Sequence, residues 1–180
     1  GLGMGVLVFF LALVLAPLAK GDLPIHCRRK WVYGEWTLKK SAVTEGVNRC
    51  GYATPDSNEQ HFSNKGVFEF SESGKEMTIA LKKPNIVECL EGCEEGKNNG
   101  YFSLIYDEGM EIKLPGFNFF AFFHYRPKAN TNIKMSDRLE DYDSECDKTR
   151  TGWFHTGGVM PKYWGCASML QVKAVSPQNC

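Results

Sequence analysis

The sequence predicts an all-β domain: an antiparallel barrel or sandwich of eight or nine strands, cross-linked by disulfides and preceded by a signal peptide. Three observations support this prediction. Short segments alternate apolar and polar side chains and are separated by turn residues. These segments recur at the spacing of a barrel or sandwich, and no convincing helix follows the first 21 residues. Seven cysteines follow a secretion-type leader, which favours disulfides.

The leader occupies residues 1–21. Val6–Leu15 is an unbroken apolar run, too short to span a membrane readily but suited to a signal sequence. Ala19 and Gly21 are small residues at the −3 and −1 positions for cleavage before Asp22. A membrane anchor is the alternative interpretation. After cleavage we expect no membrane partner and a chain in the secretory pathway, either in a lysosome-like compartment or secreted.

The first half of the mature chain reads as strands joined by polar loops. Trp31–Lys40 is predicted as the first strand, with a kink at Gly34. The remaining assignments are a short strand at Val47–Tyr52, a hairpin of Val67–Phe70 with Glu76–Leu81 across Ser71–Lys75, and a loop at Lys83–Asn99.

The centre of the prediction is Gly100–Tyr125, which reads as three consecutive antiparallel strands. The sequence places turns at Asp107–Gly109, with Gly109 at a positive φ, and at Pro115-Gly116. The apolar faces at period two are Phe102, Leu104 and Tyr106, then Met110, Ile112 and Leu114, then Phe117, Phe119, Ala121, Phe123 and Tyr125. The third strand is also aromatic on its other face, so we expect it to be central in a closed or sandwiched sheet.

The last part of the chain begins with Arg126–Glu145, a long polar excursion without apolar periodicity. Thr151–His155 and Trp164–Val175 then return to a strand-like pattern. With 180 residues the chain is long enough for one domain with a real core. Its 21 basic and 21 acidic residues leave no net charge and no basic stripe, so we expect no nucleic-acid partner.

The residues alone provide no defensible catalytic constellation. No motif typical of a serine or cysteine nucleophile is present. The CxxxC pair Cys89 and Cys93 lacks the second pair of a zinc site and favours a local disulfide. The acidic run Asp141–Asp147 lacks the glycine and glutamate of a calcium loop. No metal ligation is expected of the histidines either, because their spacing does not fit: His26, His61, His124 and His155.

Several segments taken together resemble a known family. They are Cys27, Gly34-Glu-Trp36, Cys50-Gly51, GYFSLIYDEGMEI, FNFFAFFHY, Cys146 with Thr151-Gly-Trp153, and Trp164-Gly-Cys166. In this order and cysteine spacing they resemble the exclusion domain of cathepsin C, or dipeptidyl peptidase I, a papain-family cysteine peptidase. We therefore divide the chain into a signal peptide at 1–21, an exclusion domain at 22–175, and the start of a following segment or the chain end at 176–180.

The resemblance implies an antiparallel β-barrel of about eight strands with a filled interior. It also implies a non-catalytic domain that blocks the substrate cleft beyond the S2 site, so that dipeptides are removed from free N-termini. The catalytic Cys, His and Asn would belong to a papain-like domain of the same enzyme, which this chain does not contain. The implied partners are that domain and the N-terminus of peptide substrates, and family enzymes tend to be tetrameric. No cofactor is expected in this chain.

The resemblance also assigns roles to individual residues. Asp22, five positions before Cys27, would bind the free amino group of the substrate through its carboxylate. The implied disulfides are Cys27–Cys146 and Cys50–Cys166, while Cys180 is left over. If extended, the five residues from Asp22 would span about 17 Å, which is enough for Asp22 to reach away from the barrel.

Two other functions compete with this interpretation. A free-standing secreted β-barrel could act as a protease inhibitor or a small-ligand carrier. An open, apolar interior would favour the carrier, whereas a filled interior would favour the exclusion domain. An independent enzyme is disfavoured because no nucleophile–base pair is apparent.

Overall fold

The structure, a computed structural model, describes residues 23–46, 49–50, 75–94, 96, 98–129, 139–157 and 161–175. The described part contains one short α-helix, α1 (Arg29–Val32), and one 3-10 turn, Leu139–Asp141. Its strands are β1 (Gly34–Lys40), β2 (Thr44–Glu45), β3 (Lys75–Lys82), β4 (Ile86–Glu91), β5 (Asn99–Ile105), β6 (Gly109–Leu114), β7 (Phe117–Pro127), β8 (Tyr142–Thr149), β9 (Gly152–His155) and β10 (Tyr163–Ala174).

The strands form a closed antiparallel barrel, as predicted. The order is β1-β3-β4-β5-β6-β7-β8-β10, and β1 pairs with β10 to close the circle. β8 and β9 follow one another along the same side of β7, so they share one of the eight strand positions. The two-residue β2 pairs with the start of β10 outside this circle.

Side chains fill the barrel interior. The largest fully buried ones include Trp36, Phe102, Phe119 and Phe123, contributed by β1, β5 and β7. β7 alternates buried and half-buried residues along its whole length, which confirms the predicted inward face from Phe117 to Tyr125. The inward face of β6 is confirmed in the same way.

Two strand assignments are wrong in the described part. Trp31–Lys40 is not one strand, because Arg29–Val32 forms a helix that buries Val32 before β1 starts at Gly34. Gly34 has φ 139°, and a Cβ there would lie 2.1 Å from the carbonyl oxygen of Lys173. Arg49 and Cys50 lie outside any strand, so the predicted strand at Val47–Tyr52 fails at both of its described residues.

Two strands, β4 and β8, lie at least partly in segments that the sequence pattern predicts to be loops. β4 lies within Lys83–Asn99 and buries only Val87 and Cys89, too few apolar residues to reveal it. β8 begins within the polar excursion Arg126–Glu145, and backbone pairing with β7 specifies it rather than hydrophobic alternation. The helix was also missed, because four residues carry no detectable helical period.

One turn differs in detail from its prediction. Tyr106, Asp107 and Glu108 form the β5–β6 turn, and the positive φ of 54° belongs to Tyr106 rather than Gly109. Tyr106 is 87% exposed and is therefore not part of the inward face. The other predicted turn is confirmed, with Gly116 at φ 79°.

Some predictions lie outside the described residues. They are the leader at 1–21, Asp22, His61, Cys180, the strand Val67–Phe70 and most of Val47–Tyr52. The second strand of the predicted hairpin, Glu76–Leu81, is described: it lies in β3, which pairs with β1 on one side and with β4 on the other.

We predict that Gly152→Ala destabilises the barrel by about 1–3 kcal/mol, the usual cost of overpacking. A Cβ at Gly152 would lie 2.1 Å from the Phe120 carbonyl oxygen, so β7 and β9 would have to separate. Gly157→Ala is the matched control, because its Cβ would approach Gly116 Cα only to 3.2 Å. Urea unfolding of both variants tests the prediction, and equal losses would contradict it.

Candidate functional site at the N-terminal arm

The first described residues form an arm, Leu23–Arg28, that lies across one end of the barrel. We call this the arm end; it also contains the β5–β6 turn and the first half of β8. Ile25 and Cys27 are buried in the hydrophobic core, and Leu23 packs against that core from outside. The arm is therefore part of the barrel's packing.

The β5–β6 turn holds the arm through three polar contacts. The backbone N–H of Leu23 donates to Oε1 of Glu108 at 3.1 Å. The N–H of Cys27 donates to the carbonyl oxygen of Asp107 at 2.8 Å. The imidazole of His26 pairs with the Asp107 carboxylate. Both ends of the arm are thus bonded to the same turn.

β8 holds the arm from the other side. The N–H of His26 donates to Oγ of Ser144 at 2.8 Å. A disulfide joins Cys27 to Cys146, with the two Cα atoms 5.5 Å apart. This is the pair that the family resemblance implied, and it ties the base of the arm to the end of the polar excursion.

The described arm residues are not fully extended and lie against the barrel. The N–H of Ile25 donates to the carbonyl oxygen of Leu23 at 2.8 Å, so the chain turns tightly at Pro24. Burial of Ile25 and Cys27 draws the segment onto the barrel instead of extending it. Asp22 lies outside the described residues, but its neighbour Leu23 has a fixed place against Glu108.

A cavity of about 430 Å³ opens beside the arm. Its lining combines the apolar side of the arm with carboxylates from two directions. The lining residues are Leu23, Ile25, His26, Tyr106, Asp107, Glu108 and Glu140. A cationic group in this cavity would lie near three carboxyl side chains, those of Asp107, Glu108 and Glu140, and one imidazole, that of His26.

The described residues at the two ends of the polar excursion form a paired base next to the arm. β7 continues to Pro127, β8 starts at Tyr142, and these two strands pair with each other. The N–H of Lys128 donates to the carbonyl oxygen of Asp141 at 2.8 Å, extending this base by one step. Tyr125 and Tyr142 pack edge to face at its core.

An ionic cluster lies on the outer face of this base. The imidazole of His124 is 2.5 Å from Glu145, and Nζ of Lys148 is 3.0 Å from the same carboxylate. Burial lowers the pKa of His124, and the hydrogen bond with Glu145 only partly offsets this effect. Burial acts to raise the pKa of Glu145, but hydrogen bonds from Lys148 and His124 outweigh it and lower that pKa.

The other two predicted disulfides also form. Cys50 is bonded to Cys166, at the opposite end of the barrel from the arm. Cys89 is bonded to Cys93, as their local spacing suggested.

Among the described residues, no group of three or more His, Cys, Asp or Glu side chains is placed to hold a metal ion. The described helices include none that is long and apolar enough to cross a membrane.

Sequence reasoning missed the residues that hold the arm. Asp107 and Glu108 were read only as turn residues, and His26 only as an isolated histidine. Their contacts join positions more than 80 residues apart, so no local pattern reports them. The only available signal was the acidic Asp107-Glu108 pair before a glycine, in the segment that carries the family resemblance.

These observations define a disulfide-linked β-barrel domain that is filled with side chains and has a cavity at its rim, beside the arm. The sequence profile of the Cathepsin C exclusion domain matches residues 22–170. The chain therefore belongs to the cathepsin C exclusion domain family.

One curated relative is Dipeptidyl aminopeptidase 1 of Plasmodium falciparum (isolate 3D7). It is 24% identical to this chain, over 73% of this chain and 23% of the relative. The chain thus spans less than a quarter of that protein's length.

We predict that replacing both Cys27 and Cys146 by alanine costs about 5 kcal/mol of unfolding free energy in the chain-entropy treatment, because the two positions are 119 residues apart. Amide hydrogen exchange should also accelerate in the arm. Replacing Cys89 and Cys93, which are 4 residues apart, is the control and should cost about 2 kcal/mol. Equal costs, or an arm that stays protected, would contradict the prediction.

We further predict that stability falls as the pH decreases from about 6.5 towards 4. The lowered pKa of His124 means that the unfolded chain binds this proton first, so the fold loses stability below the ordinary histidine value. The lowered pKa of Glu145 adds a loss as its carboxylate is protonated at lower pH. Unfolding free energies of the native chain and His124→Gln across this range should show a shallower slope in the variant; identical slopes would refute the assignment.

Proposed function

We propose that this chain acts as the exclusion domain of a cysteine-type dipeptidyl peptidase. In this proposal the barrel blocks the substrate cleft beyond S2, and the Asp22 carboxylate binds the free amino group of the substrate. The observation that carries the proposal is where the family match begins. It begins at residue 22, and the residues that follow it are bonded to the rim of the barrel at Leu23 and Cys27.

The chemistry of the proposed contact is simple. A carboxylate facing an ammonium group in a partly dry cleft forms a charge-assisted hydrogen bond worth roughly 1.5–3 kcal/mol. A fixed arm increases its value, because little conformational entropy is lost when the substrate binds. The adjacent cavity is lined by the carboxyl side chains of Asp107, Glu108 and Glu140, whose oxygens are hydrogen-bond acceptors suited to an ammonium group.

The excursion supports the blocking role. Its paired base lies next to the arm, and the Cys27–Cys146 disulfide holds the two together. A substrate chain running along the cleft would meet both the amine-binding arm and a wall that prevents further extension. Only a peptide that ends at this point would then place its amino group correctly.

The filled interior argues against the small-ligand carrier. Trp36, Phe119 and Phe123 occupy the space that a carrier would leave open for its ligand. The cavity beside the arm lies at the rim of the barrel, where a domain partner could cover it. We therefore prefer a role in contact with another domain.

The proposed partner is a papain-like catalytic domain of the same enzyme. The proposed compartment lies on the secretory pathway, because three disulfides in one small domain suit oxidising conditions. A tetramer remains part of the proposal through the family resemblance, and light scattering of the processed enzyme would measure it.

We predict that Asp22→Asn in the complete enzyme lowers kcat/KM for substrates with a free amino group by about 10–150-fold, equivalent to the roughly 1.5–3 kcal/mol of the lost ion pair. N-acetylated substrates should be cleaved equally poorly by both enzymes. Glu45→Gln is the matched control, because Glu45 is exposed at the opposite end of the barrel and pairs with Lys162. Unchanged kinetics of Asp22→Asn on free-amine substrates would reject the role of Asp22.

A further inference from the structure

We propose that Tyr106 is an aromatic anchor that docks this domain onto the papain-like catalytic domain. This inference rests on the proposed function, which names that domain as the partner, and adds to it the residue that makes the contact. The ring of Tyr106 enters an apolar pocket of the partner, and the carboxyl groups that flank the ring meet hydrogen-bond donors at the edge of that pocket.

The exposure of the side chain is the first argument. Tyr106 is 87% exposed, whereas the next most exposed large hydrophobic residue of the described part is Val172, at 54%. A single exposed ring is ordinary on a protein surface and carries no conclusion by itself. This ring, however, stands on a backbone conformation that disfavours any side chain, and that combination needs a cause.

The backbone is the second argument. Tyr106 has φ 54°, in the left-handed region, which costs free energy for a residue with a Cβ atom but not for glycine. Cys50 is the other described non-glycine residue with a positive φ, and its disulfide with Cys166 holds it in place. The Tyr106 side chain lies mostly in water, so few contacts offset the cost. Strain that the surrounding fold does not explain points to a functional position.

The mounting of the ring is the third argument. The N–H of Cys27 donates to the carbonyl oxygen of Asp107 at 2.8 Å, which ties the turn to the arm. The N–H of Phe123 donates to the carbonyl oxygen of Glu108 at 2.9 Å, which ties the turn to β7. Tyrosine has only two side-chain dihedral angles, so a ring on this fixed turn loses little conformational entropy when it is bound.

The position on the rim identifies the partner. Tyr106 lines the cavity beside the arm together with Leu23 and Ile25. In the proposed function this rim faces the substrate cleft, so a ring that projects from it meets the catalytic domain. Blocking the cleft requires that the barrel be held in place, and buried tyrosine rings are among the strongest anchors of protein interfaces. Asp107 and Glu108 follow the ring along the turn and supply acceptor oxygens for donors of the partner.

Covalent labelling of the complete enzyme, without substrate, tests the contact. Hydroxyl radicals oxidise exposed tyrosine rings, and mass spectrometry measures the rate at each ring. By exposure in this domain alone, Tyr106 at 87% should react faster than Tyr101 at 50% and Tyr163 at 42%. Docking reverses this order, so we expect Tyr106 to react more slowly than both reference rings. Faster reaction than either reference overturns the proposal, and so does protection that appears only when a peptide is bound, which would assign the ring to the substrate.

The variants Tyr106→Ala and Tyr106→Gly test whether the contact anchors the domain. Both remove the ring, but glycine adopts φ 54° without strain. The measured quantity is the ratio of kcat/KM for a free-amine peptide to that for its N-acetylated form, which falls when the barrel no longer blocks the cleft. We expect both variants to lower this ratio at least about 10-fold, because an interface anchor is lost. A residue that only shaped the turn would leave the glycine variant as selective as the native enzyme.

Tyr101→Ala is the matched control. It also removes an exposed tyrosine ring, but from β5, where Nζ of Lys113 lies 5.6 Å from the ring centre. This variant should keep the ratio within about 2-fold of the native value, because most surface contacts are close to neutral. Melting temperatures of the three variants show whether each barrel is folded, and the glycine variant keeps the test decisive if the alanine variant unfolds.

Failure of this inference can be told apart from failure of the proposed function. If the native enzyme prefers free-amine peptides, but Tyr106 is reactive or the glycine variant stays selective, the anchor is overturned while the proposed function stands. If the native enzyme shows no such preference, the proposed function fails. The labelling order, which does not depend on activity, then decides alone whether the ring docks onto the catalytic domain.

Discussion

The pairing of β1 with β10 is the constraint on which the rest of the structure depends. It joins the N-terminal and C-terminal strands and leaves each with hydrogen-bonded neighbours on both sides. Gly34 allows this closure, because any side chain there would collide with the backbone at Lys173. Without it the sheet would have two open edges and the aromatic interior would be exposed to water. Closure also fixes where the chain must enter the barrel, and so where the arm lies.

The place where the chain enters the barrel explains why the arm, the β5–β6 turn and the first half of β8 meet at one end. The helix α1 lies directly before β1 and buries Val32 at the mouth of the barrel. The indole N–H of Trp36 donates to the Val32 carbonyl oxygen at 2.8 Å inside the core, so helix and strand are joined by a buried bond. The arm that precedes α1 must then cross the rim, where the β5–β6 turn and β8 receive it. Because side chains fill the interior, another molecule would contact this barrel from outside, and the rim beside the arm is one surface open to it.

The sequence was most informative where burial alone determines the residue. Met110, Ile112 and Leu114 alternate strictly because one face of β6 is core and the other is not. It was least informative where pairing, not burial, determines the strand. β8 is almost wholly polar and is specified by its neighbours β7 and β10. The pairs Cys27–Cys146 and Cys50–Cys166 could be inferred through a family resemblance, and Cys89–Cys93 from its local spacing. The bond from Leu23 to Glu108 could not, because it joins a backbone group to a distant turn.

The two kinds of anchor on the arm have different physical consequences. A disulfide restrains the distance between two Cα atoms, and the Cys27–Cys146 bond therefore keeps the arm beside the polar excursion. It does little to fix the direction of residues four or five positions away, since each intervening residue adds two soft dihedral angles. The hydrogen bond from the Leu23 N–H to Glu108 restrains that freedom at the other end of the described arm. A covalent bond at Cys27 and a directional bond at Leu23 therefore fix the described arm to the rim at two separate points.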